Sequence, residues 1–133
     1  MRIEHAAMYV IDLETMRDFF CRYFGAVSGE LYYNEKKGFR SYFLTFDGGA
    51  RLELMHQEGC GSPRRKEDAE GASCGLGLHH LAMGVGSREA VDELSRRLEE
   101  DGYRVVGQPR TTGDGYYESV VLDPEHNRIE ITV

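Results

Sequence analysis

Two histidines and two glutamates recur at matched places in this 133-residue chain. His5 lies in Ile3-Glu4-His5-Ala6-Ala7-Met8-Tyr9-Val10, and His80 lies in Leu78-His79-His80-Leu81-Ala82-Met83-Gly84-Val85, 75 residues later. Glu53 lies in Arg51-Leu52-Glu53-Leu54, and Glu130 in Arg128-Ile129-Glu130-Ile131, 77 residues later. Between these landmarks Phe24-Gly25-Ala26 matches Asp101-Gly102-Tyr103, also 77 residues apart. Side chains alternate across a strand. If Ala6, Met8 and Val10 form the packed face of one strand, His5, Ala7 and Tyr9 lie opposite. Leu81, Met83 and Val85 leave His80, Ala82 and Gly84 opposite in the same way. Leu52 and Leu54 bracket Glu53, and Ile129 and Ile131 bracket Glu130, so each glutamate points away from the packed face. Two imidazoles and two carboxylates form a nitrogen and oxygen donor set that zinc, nickel, cobalt, iron or manganese can use. The set has no thiolate, unlike a structural zinc finger.

The repeat predicts two equivalent halves, each an opening strand, a helix and three shorter strands. Asp12 is placed to cap the first helix. Met16, Phe19, Phe20, Tyr23 and Phe24 then follow helical spacing, and Gly25 suits the left-handed end. Ser87 is placed to cap the second helix, whose stripe is Ala90, Val91, Leu94 and Leu98 and whose end is Gly102. The remaining strands are expected at Gly29–Tyr33, Phe39–Phe46 and Ala50–His56, then at Arg104–Gly107, Tyr116–Leu122 and Arg128–Val133. Asp47-Gly48-Gly49 and Asp123-Pro124-Glu125-His126-Asn127 supply turns. The reading is a single domain over 1–133, with a first βαβββ module at 1–57, a linker at 58–77 and a second module at 78–133. The linker Glu58–Gly77 holds five glycines and a run of charges. Neither half is long enough to bury a large core alone, so the two are expected to pair.

Composition removes several classes of function. Hydrophobic residues make up 41% and charged residues 29%, as in globular proteins. The net charge is −7, and the one dense basic cluster, Arg64-Arg65-Lys66, is followed at once by Glu67 and Asp68. Neither a nucleic acid nor a membrane is an expected partner. No apolar run is long enough to span a bilayer, and the first residues lack a signal-peptide core, so the cytoplasm is the expected location. Cys21, Cys60 and Cys74 have no zinc-motif spacing; Cys21 is expected in the core, and a reduced state suits all three.

These elements together resemble the vicinal-oxygen-chelate superfamily, also called the glyoxalase/bleomycin-resistance/dioxygenase superfamily. The resemblance rests on the His in Ile3-Glu4-His5, the Glu in Arg51-Leu52-Glu53-Leu54, the His in Leu78-His79-His80-Leu81-Ala82, and the closing Asp123-Pro124-Glu125-His126-Asn127-Arg128-Ile129-Glu130. In that closing motif Glu125-His126 stands where the family more often has a residue followed by Gly. The resemblance implies an α+β fold of two tandem βαβββ modules, curved mixed sheets with helices outside, around a cupped metal site. It also implies a homodimer, with one divalent ion per site.

The set His5, Glu53, His80 and Glu130 is similar to that of glyoxalase I. Extradiol dioxygenases and fosfomycin-resistance enzymes use two His and one Glu, and epimerases usually place Gln second. The resemblance implies isomerisation of a 2-oxoaldehyde–thiol hemithioacetal to a 2-hydroxyacyl thioester through an enediolate, with a small-molecule substrate and nickel, zinc or cobalt. By the same resemblance Glu130 is the base and Glu53 its pseudo-symmetric partner. Tyr9, Arg51 and Arg128 share strand faces with the ligands and are candidate substrate contacts. Alternation puts one of Tyr116 and Tyr117 on that face, and both are carried as candidates. His56, His79 and His126 are read as bystanders. Glutathione-using members commonly have Arg at the position of Tyr9 and Asn at that of Gln57, which leaves the thiol open. The alternatives are another enzyme of the superfamily, an epimerase or thiol transferase, and a non-catalytic drug-binding protein.

Overall fold

The computed structural model describes residues 1–59, 61 and 77–133, in two units, Met1–Pro63 and Arg64–Val133. Cys60, Cys74 and Arg64-Arg65-Lys66 of the expected linker lie outside the described residues. No described helix is long and apolar enough to cross a membrane.

The first unit runs β1 (His5–Tyr9), α1 (Leu13–Phe24), β2 (Val27–Ser28), β3 (Tyr32–Asn34), β4 (Phe39–Thr45) and β5 (Arg51–Gln57). Its sheet has the order β1-β5-β4-β2, with β3 also beside β4. Strands β1 and β5 are parallel and the other pairs antiparallel. Asp12 caps α1, accepting the Thr15 N–H at 2.9 Å. Gly25 closes it at φ 64°, in the left-handed region that glycine enters without a Cβ penalty. Met16, Phe19, Phe20 and Tyr23 are buried as the spacing predicts, and Leu13 joins them. Phe24 and Cys21 are only half-buried. This stripe packs on the face of the sheet that carries Leu44, Leu52 and Leu54. Burying each such side chain is worth about 1.5–3 kcal/mol before conformational entropy is set against it.

The strand expected at Gly29–Tyr33 is instead two short strands. Val27 and Ser28 pair with Thr45 and Leu44, whereas Tyr32 and Tyr33 pair with Ser41 and Arg40, so the register slips by one residue between them. One extra residue on one side of an antiparallel pair is a β-bulge, which bends the strand.

The second unit runs β6 (Leu81–Gly84), α2 (Arg88–Glu100), β7 (Val105–Thr111), β8 (Tyr117–Leu122) and β9 (Arg128–Thr132), with sheet order β6-β9-β8-β7. Here β6 and β9 are parallel. Ser87 caps α2 through the Ala90 N–H at 3.1 Å. Gly102, at φ 92°, turns the chain so that the Tyr103 N–H reaches the Leu98 carbonyl at 2.9 Å. Val91 and Leu98 are buried, but the stripe also buries Ser95. The Ser95 hydroxyl meets that of Ser119 on β8 at 2.6 Å, and it also donates to the Val91 carbonyl. A buried polar pair is therefore satisfied at the helix–sheet contact. Strand β7 is longer than expected and carries two register shifts against β8.

The β8–β9 turn is organised by Asp123, which is only 2% exposed. Its carboxylate accepts the backbone N–H groups of Glu125 and Asn127 at 2.9 and 2.8 Å and the Asn127 side-chain amide at 2.9 Å. Burial outweighs these bonds and pushes the carboxyl up to about 6. Because the folded value lies above the ordinary 3.8, Asp123 favours folding most below that pH, and this contribution is lost as pH rises through about 6. Stability measured by denaturant titration should therefore fall between about pH 4 and 6, and Asp123→Asn should flatten that fall. His126 is the one described non-glycine residue with positive φ, at 66°. That is the position where the resembled family more often has Gly, and a side chain there is strained. His126→Gly should raise the unfolding midpoint, by relief of about 1 kcal/mol.

Candidate metal centre

In each unit parallel pairing sets the histidine strand beside the glutamate strand. His5 is opposite Arg51 and Ala7 is opposite Glu53, so His5, Arg51 and Glu53 share a face. The same face carries Phe43, which is opposite Glu53 across β4. In the second unit Ala82 is opposite Glu130, which gives His80, one position before β6, the same parity. Both glutamates stand on the face away from the helix, because their neighbours Leu52, Leu54, Ile129 and Ile131 are buried against it.

The side chains meet as pairs. His5 Nε2 lies 3.8 Å from Glu53 Oε2, and His80 Nε2 lies 3.4 Å from Glu130 Oε2. Exposure matches as well: the histidines are 38% and 37% exposed and the glutamates 15% and 16%. Donors about 2.0–2.2 Å from a shared ion, at tetrahedral or octahedral angles, sit roughly 3.0–3.5 Å apart. The second pair falls in that span, and the first needs a closing shift of a few tenths of an ångström. Each pair is thus within a few tenths of an ångström of the spacing of two neighbouring donors on a divalent ion. Among the described residues no three His, Cys, Asp or Glu side chains cluster as a metal set.

The surroundings of the pairs differ. His5 Nδ1 donates to Glu4 Oε2 at 2.5 Å. Glu4 also takes an ion pair from Arg51, and the two bonds, His5 first, hold its carboxyl below the ordinary value. The Arg51 guanidinium lies 4.4 Å over the Phe43 ring, and that ring meets the His5 imidazole edge-on at 5.3 Å. In the second unit His80 Nδ1 faces His79 Nδ1 at 2.9 Å. Glu118, on β8, shares the face of Glu130, since Val120 is opposite Glu130 and Glu118 is opposite Thr132. Burial, and then the charge of Glu130, push Glu118 up, against the pull of Arg110 at 3.3 Å.

The candidate substrate contacts divide. Tyr9 stands 52% exposed at the end of β1, on the His5 face. Arg51 is turned to Glu4, and half-buried Arg128 is on the strand face of Glu130. Tyr117 is the clearest departure. It pairs with Thr111, lies on the helix side of the sheet, and its hydroxyl donates to Asp92 of α2 at 2.6 Å. Arg88 stacks over its ring at 4.8 Å. Tyr116, just before β8, is 59% exposed, and alternation gives it the parity of Glu118 and Glu130 rather than that of Tyr117. Sequence reasoning passed over Glu118 and Glu4. The signal for Glu118 was its parity with Glu130, legible only once the register of β8 on β9 is fixed. The signal for Glu4 was its place next to His5. His56 is structural, its Nδ1 lying 3.0 Å from the Val10 carbonyl. A recess of about 270 Å³ lies at Tyr103, Arg104 and Asp123 and includes neither ligand pair.

Residues 2–131 match the Glyoxalase/Bleomycin resistance protein/Dioxygenase superfamily. An uncharacterized protein of Bacillus subtilis (strain 168), YqjT, is 30% identical over 135 residues, which covers 97% of this chain and 96% of that protein. Among solved structures, the glyoxylase/bleomycin resistance protein/dioxygenase domain from Frankia sp. EAN1pec superposes with a TM-score of 0.81 at 16% identity, covering all of this chain and 97% of that one. The V278E mutant of glyoxalase I from Zea mays superposes with a TM-score of 0.76 at 20% identity over 98% of this chain, which spans 44% of the maize protein. Strand order, duplicated architecture and the match along nearly the whole length agree: the chain belongs to the Glyoxalase/Bleomycin resistance protein/Dioxygenase superfamily.

Proposed function

We propose that this protein is a metal-dependent glyoxalase I-type lyase, converting the hemithioacetal of a 2-oxoaldehyde and a thiol into a 2-hydroxyacyl thioester. The observation that carries this reading is the repeated His–Glu pair, His5 with Glu53 and His80 with Glu130, on the sheet face away from the helix in each unit. His5 and His80 hold the ion through Nε2, and Glu53 and Glu130 complete the set. Nickel, cobalt or zinc suits these donors. Such an ion, when bound, stabilises negative charge developing on adjacent substrate oxygens. A homodimer belongs to the same proposal.

The carboxylates supply the proton chemistry. Glu130 takes the proton from the carbon bearing the hydroxyl and returns it to the neighbouring carbon, while the hydroxyl proton passes to the neighbouring oxygen, so the isomerisation balances with no net gain or loss of a proton. Glu53 remains a ligand. The two sites are not equivalent around their carboxylates. Glu53 is opposite the Phe43 ring, whereas Glu130 shares its face with Glu118. Tyr9, Tyr116 and Arg128 are the substrate contacts in this reading, whereas Arg51 is engaged by Glu4 and Tyr117 ties β8 to α2. Tyr9 presents a phenol where glutathione-using relatives commonly have a guanidinium, so a thiol other than glutathione belongs in the assay.

Metal-loaded protein incubated with methylglyoxal and a panel of thiols should form thioester, followed by its ultraviolet absorbance. The absence of thioester with every thiol and with nickel, cobalt and zinc would contradict the reading. Glu130→Gln should lower turnover on the order of 10²–10⁴-fold while keeping most of the metal, because an amide oxygen coordinates but cannot take a proton from carbon. Glu53→Gln should keep metal and a larger share of activity. The reverse order would move the base to the first module.

A further inference from the structure

We infer that Glu4 is a positioning residue that prepares His5 for its metal, and that His79 has the equivalent place beside His80. The inference rests on the reading of His5 and His80 as ligands. An imidazole that binds a metal through Nε2 must carry its proton on Nδ1, and the group that accepts that proton sets both the tautomer and the ring rotation. Glu4 is a carboxylate, which when ionised only accepts. Its Oε2 is 2.5 Å from His5 Nδ1, so Nδ1 must donate there. That leaves the Nε2 lone pair on the side of Glu53, whose Oε2 is 3.8 Å away.

Glu4 is itself held in place. Arg51 Nε donates to Glu4 Oε1 at 3.0 Å, and Arg51 Nη2 donates to the same oxygen. The Arg51 guanidinium rests 4.4 Å over the Phe43 ring, which packs edge-on against the His5 imidazole at 5.3 Å. Glu4, Arg51 and Phe43 thus brace one imidazole with an ion pair, a stacked cation and a ring contact. The backbone supports the same arrangement, since the Arg51 N–H donates to the Glu4 carbonyl at 3.0 Å.

The same position in the second unit is filled by a different chemistry. His79 directly precedes His80, as Glu4 precedes His5, and its Nδ1 is 2.9 Å from His80 Nδ1. One of the two nitrogens donates and the other accepts. With the proton on His80, the His80 Nε2 lone pair is available 3.4 Å from Glu130 Oε2. A neutral imidazole accepts less strongly than a carboxylate. The first histidine is therefore the more firmly fixed of the two, and His79 is a participant rather than a bystander.

The test uses the full-length protein with Glu4→Ala, Glu4→Gln and His79→Ala, and two readouts that do not need turnover. The first is the affinity for zinc or cobalt alone, measured by competition with a chromogenic chelator. Glu4→Ala should weaken it 10–100-fold, as removal of such supporting partners does elsewhere. Glu4→Gln, which keeps an acceptor oxygen but loses the charge, should fall between wild type and Ala. His79→Ala should cost less than Glu4→Ala. The second readout is the His5 tautomer in metal-free protein, from long-range ¹⁵N–¹H correlation. The wild type should carry the proton on Nδ1, and Glu4→Ala should shift the population to Nε2. Unchanged affinity in Glu4→Ala, or an unchanged tautomer, would overturn the inference while leaving the metal reading intact. A wild type that takes up neither ion would overturn the metal reading, and this inference with it.

Discussion

Parallel pairing of the first and last strands of each module is the constraint on which the site depends. His5 and Glu53 are far apart in sequence, and so are His80 and Glu130. They meet only because β1 lies beside β5 and β6 beside β9. Parallel neighbours cannot be joined by a tight turn and need a long connection. The helix and the intervening antiparallel strands supply that connection. The helix then covers one face of the sheet and leaves the other face for the histidine and the glutamate. Alternation does the rest, because Leu52 and Leu54, or Ile129 and Ile131, cannot be buried against the helix without turning the glutamate between them outward. A register slip of one residue would bury the carboxylate and expose the leucines.

The two modules keep the His–Glu pair and vary what surrounds it. Around Glu53 stand an aromatic ring and the Glu4–Arg51 pair; around Glu130 stand Glu118, Arg110 and an imidazole pair. Binding a metal constrains donors and their spacing, and those repeat to within a few tenths of an ångström. Proton transfer and substrate selection do not need symmetry, and the surroundings of the two carboxylates are not symmetric. A carboxylate beside a cation is a weaker base than one free of it. In the proposed reaction the two glutamates have different tasks, and their unlike environments suit that division.

Much of this was legible in the residues. The repeat, both helix caps, the aromatic stripe of α1 and the outward glutamates all follow from local patterning that tertiary packing reinforces. The bulges were not legible. Nothing in Gly29–Tyr33 says that the strand slips by one residue against β4, because a bulge depends on the partner strand. For the same reason alternation alone could not choose between Tyr116 and Tyr117; the pairing of Tyr117 with Thr111 and its bond to Asp92 decide it. Ser95 escaped the apolar stripe because its burial is made tolerable by one hydroxyl on another element, Ser119. His126 was visible only as a departure from a motif, and its backbone angle gives that departure a physical meaning.

In the proposed function His5, Glu53, His80 and Glu130 are all metal ligands. Cobalt titration followed by visible absorption tests it most directly, because the ligand-field bands report coordination without any assumption about substrate. Saturation is expected at one equivalent per chain, with the bands abolished by either His5→Ala or His80→Ala although the two substitutions lie in different modules. Two equivalents per chain, or one module's bands surviving loss of the other module's histidine, would show that the pairs act separately and would contradict it.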